Sequence, residues 1–445
     1  MRHFFDAAEY ERFCTALEAP PVRALRVNTE KAGTCDTVQK LPFVGAPLPF
    51  AENAFYATDE KVGAHPAHHA GMIYMQDPSA ICAVAAVPDL RGLRVLDLCA
   101  APGGKSTQLA AAIGEGGVLV SNEYVPARCR ILQGNVERMG LKNTIVTNLD
   151  TARLAAFYGA CFDLVVADAP CSGEGMLRKY EVAGEEWSEE NVALCAVRQR
   201  EILENAAKCV APGGRLLYST CTFSTEENEE NVAWFLDTHP AFSLTNVTDA
   251  VAAVTADGIP TPRRDLSLCR RFYPHLSSGE GQFLALMIRE SDGKREQPQQ
   301  GGAQPPTAAE RRVLQQVLAD TCKTPPAGEV VRLRDTLYFT PSLPYPTTGV
   351  FAPGVAIGTV KGAHLLPHHH FYTAYGTSFR RQLKLSLSDP RVMRYLRGEE
   401  IDATELAGEK NGFACVLLEG ASLGGGKLVD GRLKNHYPKG LRNRD

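Results

Sequence analysis

The spacing of hydrophobic and polar residues changes along the chain and divides it into four stretches. Within residues 1–75, FDAAEYERFCTAL has the period of a helix and VRALRVNT suits a strand, which predicts a small α+β domain. From 76 to 290, short apolar runs alternate with amphipathic stretches, as in an α/β domain whose parallel sheet carries helices on both faces. Residues 291–310 are rich in Gln, Pro and Gly without a period, which predicts a linker before a third unit at 311–445.

Four continuous apolar runs in the α/β stretch end in polar residues, as strands buried on both faces do. They are RVLDLCA (94–100), VLVSNEY (118–124), FDLVVADAP (162–170) and RLLYSTC (215–221). Before the last run, the pattern predicts a helix that is ended by Ala-Pro-Gly-Gly. Its predicted buried face consists of Leu194, Val197, Ile202, Ala206 and Val210.

The first of these strands leads into a short loop rich in small residues. The loop, Ala100, Ala101, Pro102, Gly103 and Gly104, precedes a predicted helix, so its backbone amides lie near a helix N-terminus and can hold an anionic or zwitterionic ligand. The glycine spacing fits neither of the two common phosphate-binding motifs, so pyrophosphate is not the first choice of ligand. The alternative is an ordinary strand-to-helix turn.

An acidic residue follows each of three later strands: Glu123, Asp150 and Asp168. Because the carboxyl ends of parallel strands form the ligand crevice, we expect these acids to converge with the loop on one nucleoside pocket. Glu123 is suitably placed for ribose hydroxyls, and Asp150 could accept a hydrogen bond from an adenine amino group. The alternative for each acid alone is a helix cap.

Two cysteines stand at the ends of neighbouring strands, Cys171 in DAPCSGEG and Cys221 in LLYSTC. Their polar neighbours and nearby helix starts predict exposure to the cleft, whereas we expect Cys195 and Cys209 to be packing residues of the intervening helix. A thiolate beside a methyl-donor pocket suits methylation at carbon 5 of cytosine, because attack on carbon 6 makes carbon 5 nucleophilic. Asp168 could assist the addition by hydrogen bonding to the base.

Composition narrows the class of protein. The chain is 44% hydrophobic and 22% charged, typical of globular proteins, and lacks an apolar run of the roughly 18 residues that a membrane span needs. Its thirteen cysteines show no C-x-x-C pair, which favours reduced thiols and a cytoplasmic protein. A net charge of -4 excludes a uniformly basic RNA coat, but the tail carries basic residues at 427, 432, 434, 439, 442 and 444.

Four ordered motifs resemble the Sun-type RNA cytosine-C5 methyltransferases, which use S-adenosylmethionine. The motifs are LDLCAAPGGKSTQLA, ADAPCSGEGMLRK, LLYSTCTFSTEENEENV and RFYPHLSSGEGQFLALM. The resemblance implies a Rossmann-like class I methyltransferase domain at 76–290. It also implies that Cys221 is the nucleophile and that Cys171 assists product release. The residues alone leave that order open, since DNA cytosine methyltransferases place their nucleophile in a Pro-Cys motif like the one at Cys171.

The same resemblance implies roles for the cofactor-site residues. Glu123 would hold the ribose, Asp150 would lie by the adenine, and Asp168 would lie at the reacting base, within the cofactor pocket. The residues that would surround the methionine part of S-adenosylmethionine are Cys99, Ala100, Ala101, Pro102, Gly103, Gly104 and Lys105.

The flanking regions extend the likeness. RALRVNT and AHPAHHAGMIYMQDPSA resemble the family's N-terminal RNA-contacting domain, and GGGKLVDGRLKNHYPKGLR resembles the C-terminal, PUA-like RNA-binding region of the RsmF-like bacterial branch. We therefore predict a monomeric enzyme that methylates cytosine in RNA, first of all 16S ribosomal RNA. The alternatives are a tRNA methyltransferase and a non-catalytic RNA-binding assembly factor. An amino-group methyltransferase is disfavoured because Ala169–Pro170–Cys171 supplies no stacking ring.

Histidines, a possible helix cap and scattered basic residues give three further predictions. The histidines His65, His68, His69 and His368–His370 lack companion ligands, so no metal is predicted, and the run at 368–370 matches no motif. Ser224 and Glu227 are spaced as a capping box that would begin a helix directly after Cys221. Phosphate contacts are expected from the basic tail and from Arg23, Arg26, Arg178 and Lys179.

Overall fold

The computed structural model describes residues 4–31, 33–58, 62–178 and 187–443. Its N-terminal part is a four-stranded antiparallel sheet of order β2-β3-β1-β4, accompanied by short helices. The elements are α1 (Ala7–Glu18), β1 (Ala24–Val27), α2 (Thr34–Gln39), β2 (Val44–Pro47), β3 (Ala54–Ala57), α3 (Pro66–His69) and β4 (Ile73–Gln76). The predicted first helix and the strand in RALRVNT are both present.

The central part contains most of a ten-stranded sheet whose main path is β11-β12-β13-β9-β8-β5-β6-β7-β16. Its elements are α4 (Pro78–Ala85), β5 (Arg94–Asp97), α5 (Gly104–Ile113), β6 (Val118–Asn122), α6 (Pro126–Met139), β7 (Thr144–Thr147), α7 (Thr151–Tyr158), β8 (Phe162–Asp168), α8 (Glu189–Cys209), β9 (Val210–Thr220), α9 (Glu229–Thr238), β10 (Phe242–Leu244), α10 (Asp249–Ala252), β11 (Ala256–Asp257), β12 (Arg270–Phe272) and β13 (Gln282–Arg289). Strands β9, β8, β5, β6 and β7 are parallel, and β13 runs antiparallel to β9.

The inner strands are buried on both faces, as their continuous apolar runs predict. Successive residues of β5, Val95 and Leu96, belong to two different hydrophobic clusters, because neighbouring side chains of a strand point to opposite faces. Leu164 and Val165 of β8 divide between the same two clusters. The sheet therefore separates two hydrophobic cores. The polar residues at its strand ends lie outside both cores and are available to contact a ligand.

Helix α8 ends where the Ala-Pro-Gly-Gly signal predicts, but its predicted buried face is wrong in the first half. Leu194 and Val197 are 59% and 67% exposed, whereas Cys195, Gln199 and Ile202 are buried. At 100° per residue the buried positions lie on one side of the helix and Leu194 and Val197 lie on the other. The prediction followed apolarity alone and missed the polar Gln199, which faces inward because it has buried partners.

Residues 290–307 contain no helix, and their backbone runs against α7, where Glu296 N–H donates to Ala160 O (3.1 Å) and Gln299 N–H donates to Phe157 O (2.9 Å). The C-terminal elements are α11 (Ala308–Thr321), β14 (Glu329–Leu333), β15 (Thr336–Thr340), β16 (Val350–Ala352), β17 (Val355–Lys361), β18 (His364–Pro367), α12 (His369–Tyr375), β19 (Gln382–Leu385), α13 (Pro390–Leu396), β20 (Ile401–Asp402), β21 (Gly412–Leu418), β22 (Ala421–Val429) and β23 (Arg432–Asn435). Two sheets, β14-β15-β17-β18 and β19-β21-β22-β23-β20, account for most of them.

One C-terminal strand departs from the predicted division of the chain at 311. Strand β16 pairs antiparallel with β7 and so extends the central sheet. The sequence could not reveal this pairing, because a three-residue strand carries too little pattern to identify its partner.

Buried polar residues of the N-terminal part tie the three parts together. The Asn28 amide donates to Gly71 O and Met139 O, both at 2.9 Å. The Lys31 ammonium donates to carbonyls of Ala70, Arg138 and Ser422, and burial lowers its pKa to about 7. The N-terminal sheet is thus fixed to α6 and β22. Among the described residues, no helix is long and apolar enough to cross a membrane.

Candidate active site

The glycine-containing loop between β5 and α5 is held in place by hydrogen bonds from neighbouring elements. Ala100 N–H donates to Asn122 O (2.8 Å), and α6 contributes Arg128 to Ala101 O (2.9 Å) and Asn135 to Pro102 O (2.9 Å). Gly103 has φ 114°, which favours glycine, and caps α5. The loop is therefore a rigid turn, shaped before any ligand binds.

Arg26 of β1 supports the loop from the N-terminal sheet. Its guanidinium donates to Gln76 Oε1 (2.7 Å), Gly104 O (2.7 Å) and Thr107 Oγ1 (2.8 Å), and the residue is 6% exposed. The expected phosphate contact is thus wrong for Arg26, because its donors are used inside the protein. Sequence reasoning placed it at the surface because a lone Arg in a short strand gives no sign of burial.

Asp97, the last residue of β5, forms the buried floor of the site. Its Oδ2 accepts a hydrogen bond from Ser106 Oγ (2.6 Å), while Oδ1 has no hydrogen-bond partner within the described part of the chain. Burial raises the pKa of Asp97 to about 7. An acceptor left open beneath the loop suits a ligand that brings a hydrogen-bond donor or an ammonium group.

Lys105, in the first turn of α5, forms an ion pair with Asp168 at the end of β8, with an Nζ–Oδ2 distance of 2.8 Å. Burial disfavours the ammonium, but the Asp168 carboxylate outweighs that effect and raises the pKa of Lys105. Asp168 also accepts a hydrogen bond from Ser219 Oγ (2.7 Å). The ion pair connects the start of α5 to the end of β8, and the Asp168 side chain remains 32% exposed.

The two predicted cysteines come together at the same edge of the sheet. The Sγ atoms of Cys171 and Cys221 are 3.4 Å apart. The hydrogen bond with Cys221, and then burial, raise the pKa of Cys171. Cys99 lies nearby in the loop, where burial and three surrounding carboxylates raise its pKa. Cys195 and Cys209 are buried in α8, as expected of packing residues.

A network of buried polar residues, unforeseen from the sequence, holds the two cysteine loops together. Glu227 accepts hydrogen bonds from Ser172 N–H (3.0 Å), Ser172 Oγ (2.5 Å) and Gln199 Nε2 (2.7 Å), and Ser172 Oγ lies 2.9 Å from Thr222 Oγ1. Burial raises the pKa of Glu227. In sequence, Glu227 belongs to an acidic run that looks like a solvated helix start, which is why it was missed.

The predicted capping box at Ser224 is only half formed. Ser224 Oγ accepts from Glu227 N–H (3.3 Å), but the Glu227 carboxylate turns to Ser172 and Gln199 instead of back to Ser224. Helix α9 begins at Glu229, so it does not start directly after Cys221. The prediction failed because a buried partner competes for the carboxylate.

A cavity of about 830 Å³ opens above these groups. It is lined on one side by the loop, Asp97, Lys105, Asp168 and Cys221, and on the other by residues of the N-terminal part that include Arg23 and Tyr74. The size suits a cofactor together with part of a second molecule. The cavity joins the N-terminal sheet to the carboxyl ends of the parallel strands.

Glu123 and Asp150 stand at the ends of the next strands and do not line this cavity. Glu123 is buried and accepts from Val125 N–H (2.8 Å), with Arg128 3.9 Å away. Asp150 caps α7 by accepting from Arg153 N–H (2.8 Å). Of the three acids expected to converge, the structure brings only Asp168 to the loop, the cysteines and the cavity.

The residues that were expected to contact RNA phosphates have different surroundings in the structure. Arg178 donates to Glu280 Oε2 (2.7 Å), Ala16 O (2.8 Å) and Gly279 O (2.6 Å), and it also lines the cavity, so its contact with phosphate stays a prediction. Arg23 lines the cavity, and Lys179 lies outside the described residues. In the tail, the side chains at 427, 432, 434 and 439 are exposed, Arg442 is partly buried, and residue 444 is outside the described part.

The histidine run at 368–370 has a structural explanation. His368 caps α12 by accepting from His370 N–H (3.2 Å), and His370 Nε2 bonds to Leu141 O (3.0 Å). Burial lowers the pKa of both His369 and His370 to about 3. The His370 ring attaches α12 to the central domain, whereas the His369 ring packs against Tyr437 of the C-terminal part. Within the ranges that the structure describes, no group of three or more His, Cys, Asp or Glu residues could hold a metal ion.

Comparison with known proteins agrees with this geometry. Residues 88–288 match the family 16S rRNA methyltransferase RsmB/F. Residues 1–78 match the N-terminal domain of 16S rRNA methyltransferase RsmF, and 382–443 match the methyltransferase RsmF PUA domain. The ribosomal RNA small subunit methyltransferase F of Erwinia tasmaniensis is 31% identical, over 98% of this chain and 94% of that protein. The protein of the same name from Vibrio parahaemolyticus is also 31% identical, over 97% and 93%.

Solved structures show the same fold. A methyltransferase homologue from Pyrococcus horikoshii has a TM-score of 0.55 at 28% identity, covering 62% of this chain and 90% of that one. NSun6 from Pyrococcus horikoshii with SFG has a TM-score of 0.55 at 20% identity, covering 66% and 97%. The predicted Rossmann-like methyltransferase fold with a PUA region, and S-adenosylmethionine as the methyl donor, are confirmed. The chain is an enzyme that belongs to the 16S rRNA methyltransferase RsmB/F family, in the branch named ribosomal RNA small subunit methyltransferase F.

Proposed function

We propose that this enzyme transfers the methyl group of S-adenosylmethionine to carbon 5 of a cytosine in 16S ribosomal RNA, through a covalent bond between Cys221 and carbon 6 of the base. The observation that carries the proposal is the 3.4 Å approach of Cys171 and Cys221 beside the Lys105–Asp168 pair. A thiol that lines a methyl-donor cavity, with a second thiol in contact with it, suits a reaction that needs a nucleophile and a second group to release the product.

The residues around the cavity fit the cofactor. Asp97, whose Oδ1 has no partner among the residues that the structure describes, would accept from the amino group of the methionine part, and the loop from Cys99 to Lys105 would enclose it. Glu123 and Asp150 remain proposed contacts for the ribose and the adenine, at the ends of β6 and before α7. When bound, S-adenosylmethionine supplies an electrophilic methyl group.

The position of the two thiols favours Cys221 over Cys171 as the nucleophile. Cys221 lines the cavity together with Lys105 and Asp168, whereas Cys171 is not among the residues that line it. The pKa of Cys171 is raised, first by its hydrogen bond with Cys221 and then by burial. The Cys221 sulfur adds to carbon 6, and carbon 5 becomes an electron-rich centre that takes the methyl group.

Product release requires loss of the proton from carbon 5 and cleavage of the bond between carbon 6 and sulfur. When a base removes that proton, its electron pair restores the ring double bond and Cys221 leaves as a thiolate. The Cys171 thiol, 3.4 Å away, donates a hydrogen bond to the departing sulfur. Asp168, held by Lys105 and Ser219, is placed to hydrogen-bond the polar edge of the base during addition.

Each segment of the chain has a proposed role in binding or modifying the RNA. We assign residues 1–75 and 311–445 to RNA contact, residues 76–290 to methyl transfer and 291–310 to the connection between them. The exposed basic side chains at 427, 432, 434 and 439 support RNA contact by the C-terminal region. We propose that the enzyme acts as a monomer in the cytoplasm, where ribosomal RNA is assembled.

The proposal is tested by transfer of a tritiated methyl group from S-adenosylmethionine to unmethylated 16S rRNA, with bisulfite sequencing to locate the product. Incorporation into one cytosine of 16S rRNA is expected. Incorporation into tRNA alone would favour the tRNA alternative. No incorporation into any RNA, with cofactor still bound, would favour an RNA-binding assembly factor.

A further inference from the structure

The first residue of β13, Gln282, has a buried polar group that the structure leaves unsatisfied. Gln282 is 3% exposed, and its Nε2 atom has no hydrogen-bond partner within the described residues. The same side chain lines the cavity that contains Cys221 and Asp168. A buried amide donor facing a ligand cavity indicates that a ligand supplies the acceptor.

Gln282 and Cys221 line the same cavity, and each lies one residue beyond the last paired position of β13 and β9. In the antiparallel pair of β13 and β9, Phe283 is opposite Thr220, so continuing the register by one residue sets Gln282 opposite Cys221. Residues opposite each other in such a pair project to the same face with Cβ atoms about 5 Å apart. Gln282 is therefore within side-chain reach of a base that is bonded to Cys221.

The cofactor loop lies on the other side of Cys221. The strand order is β13-β9-β8-β5, so Gln282 and the loop after β5 are three strand spacings apart, roughly 14 Å. This separation excludes the methionine part of the cofactor as the partner of Gln282. The acceptor therefore comes from the second molecule, the RNA, whose target base is the part that bonds to Cys221.

The ring geometry of cytosine identifies the acceptor. Cytosine has two ring acceptors, N3 and O2. N3 lies beside the amino group, on the edge that Asp168 of β8 can bind, which leaves O2 for a donor from β13, on the other side of Cys221. Sulfur addition to carbon 6 moves negative charge onto O2 through the conjugated ring, so a donor there stabilises the adduct more than the free base.

We propose that Gln282 is a catalytic residue that donates a hydrogen bond from Nε2 to O2 of the target cytosine. This inference rests on the proposed function and deepens it by assigning a contact to the base itself. The motif resemblance assigned no role to Gln282. The new contact gives the buried amide its missing partner and places a donor where charge develops.

The test measures covalent adduct formation between the enzyme and a 16S rRNA transcript that contains 5-fluorocytidine. Fluorine in place of the carbon 5 hydrogen prevents release, so the denaturation-resistant adduct reports the addition step and methyl transfer together. Gln282→Met should slow adduct formation by roughly 10- to 100-fold, by lowering its maximal rate and not by raising the RNA concentration that gives half of that rate, because the hydrogen bond strengthens as charge grows on O2. Gln282→Glu, which has the same shape but no donor when ionised, should be slower still.

Controls separate this contact from folding and cofactor effects. Thermal unfolding and S-adenosylhomocysteine affinity should match the wild type in both variants, and Gln299→Met, at an exposed site beside α7, should form the adduct at the wild-type rate. If Gln282→Met fails to fold, Gln282→Glu carries the test. Wild-type rates in the folded Gln282 variants would overturn the inference alone, whereas absence of an adduct with wild-type enzyme would instead overturn the proposed function.

Discussion

Cys171 and Cys221 are 50 residues apart in sequence, yet their Sγ atoms are separated by 3.4 Å at the carboxyl ends of adjacent parallel strands. The contact does not depend on the strands alone. Ser172 and Thr222, the residues that follow the two cysteines, are joined by their hydroxyls, and Glu227 holds Ser172 by both its backbone amide and its hydroxyl. The neighbouring positions thus fix the distance between the two thiols.

Removal of the Cys171 thiol should trap the enzyme on its product. In Cys171→Ala the addition to carbon 6 remains available, but the departing Cys221 sulfur loses its hydrogen-bond donor, so a covalent protein–RNA adduct should accumulate on natural, unfluorinated RNA. Denaturing electrophoresis with labelled RNA measures it. Cys14→Ala, a control at a partly exposed cysteine of α1, should release product normally. Free product release by Cys171→Ala would argue against the helper role.

The buried carboxylate behind the thiols should matter more than an exposed one in the same run. Glu227→Gln places an amide donor against the donors of Ser172 and Gln199, which should lower the free energy of unfolding by about 1–3 kcal/mol and slow adduct formation. Urea unfolding and adduct kinetics measure both effects. Glu230→Gln, at an exposed position of α9, is the matched control and should change neither. Equal behaviour of the two variants would show that the network does not position Cys171.

Arg26 should couple the N-terminal sheet to the cofactor loop. Arg26→Met removes one buried and two partly buried hydrogen bonds and leaves Gly104 O without this donor, so it should destabilise the protein by about 2–4 kcal/mol and weaken S-adenosylhomocysteine binding. Calorimetric titration and thermal unfolding measure the two effects. Arg312→Met, on the exposed face of α11, should leave both unchanged. Retained cofactor affinity in Arg26→Met would show that the loop keeps its shape without this support.

The buried histidines should make the protein sensitive to acid. Burial lowers the pKa of His370 to about 3, below its ordinary value of 6.5. Between pH 6.5 and 3 the unfolded chain therefore carries a proton on this histidine that the folded chain does not. The free energy of unfolding decreases as the pH falls through this range. His370→Gln, which can still donate to Leu141 O, should flatten the dependence of unfolding free energy on pH between 4 and 6, by up to about 1.4 kcal/mol per pH unit. His364→Gln, at an exposed position, should keep the wild-type slope.

The parts of the fold that depend on the local pattern of apolar and polar residues could be predicted from the sequence. Four inner strands, the loop before α5 and the strand-end cysteines follow from apolar runs and from the rule that parallel strands present their carboxyl ends together. Burial of individual polar residues did not follow. Arg26, Arg178 and Glu227 look like surface charges in sequence, and only their distant partners, at Gly104, Glu280 and Ser172, explain why they lie inside.

Long-range pairing was likewise hidden. The addition of β16 to the edge of the central sheet joins segments about 200 residues apart through two paired positions, Val350 with Thr147 and Ala352 with Val146. Similarly, the burial of the histidine run at 368–370 is explained only by the contact of α12 with Leu141. Local spacing carries no record of such contacts.

The most direct test of the account is to identify which cysteine bonds to RNA. Wild-type enzyme is incubated with S-adenosylmethionine and 16S rRNA containing 5-fluorocytidine, the adduct is digested with protease and nuclease, and the nucleotide-bearing peptide is sequenced by mass spectrometry. A methylated fluorocytidine is expected on Cys221, with Cys171 free. Attachment to Cys171, or methylation of the RNA without any covalent intermediate, would contradict it.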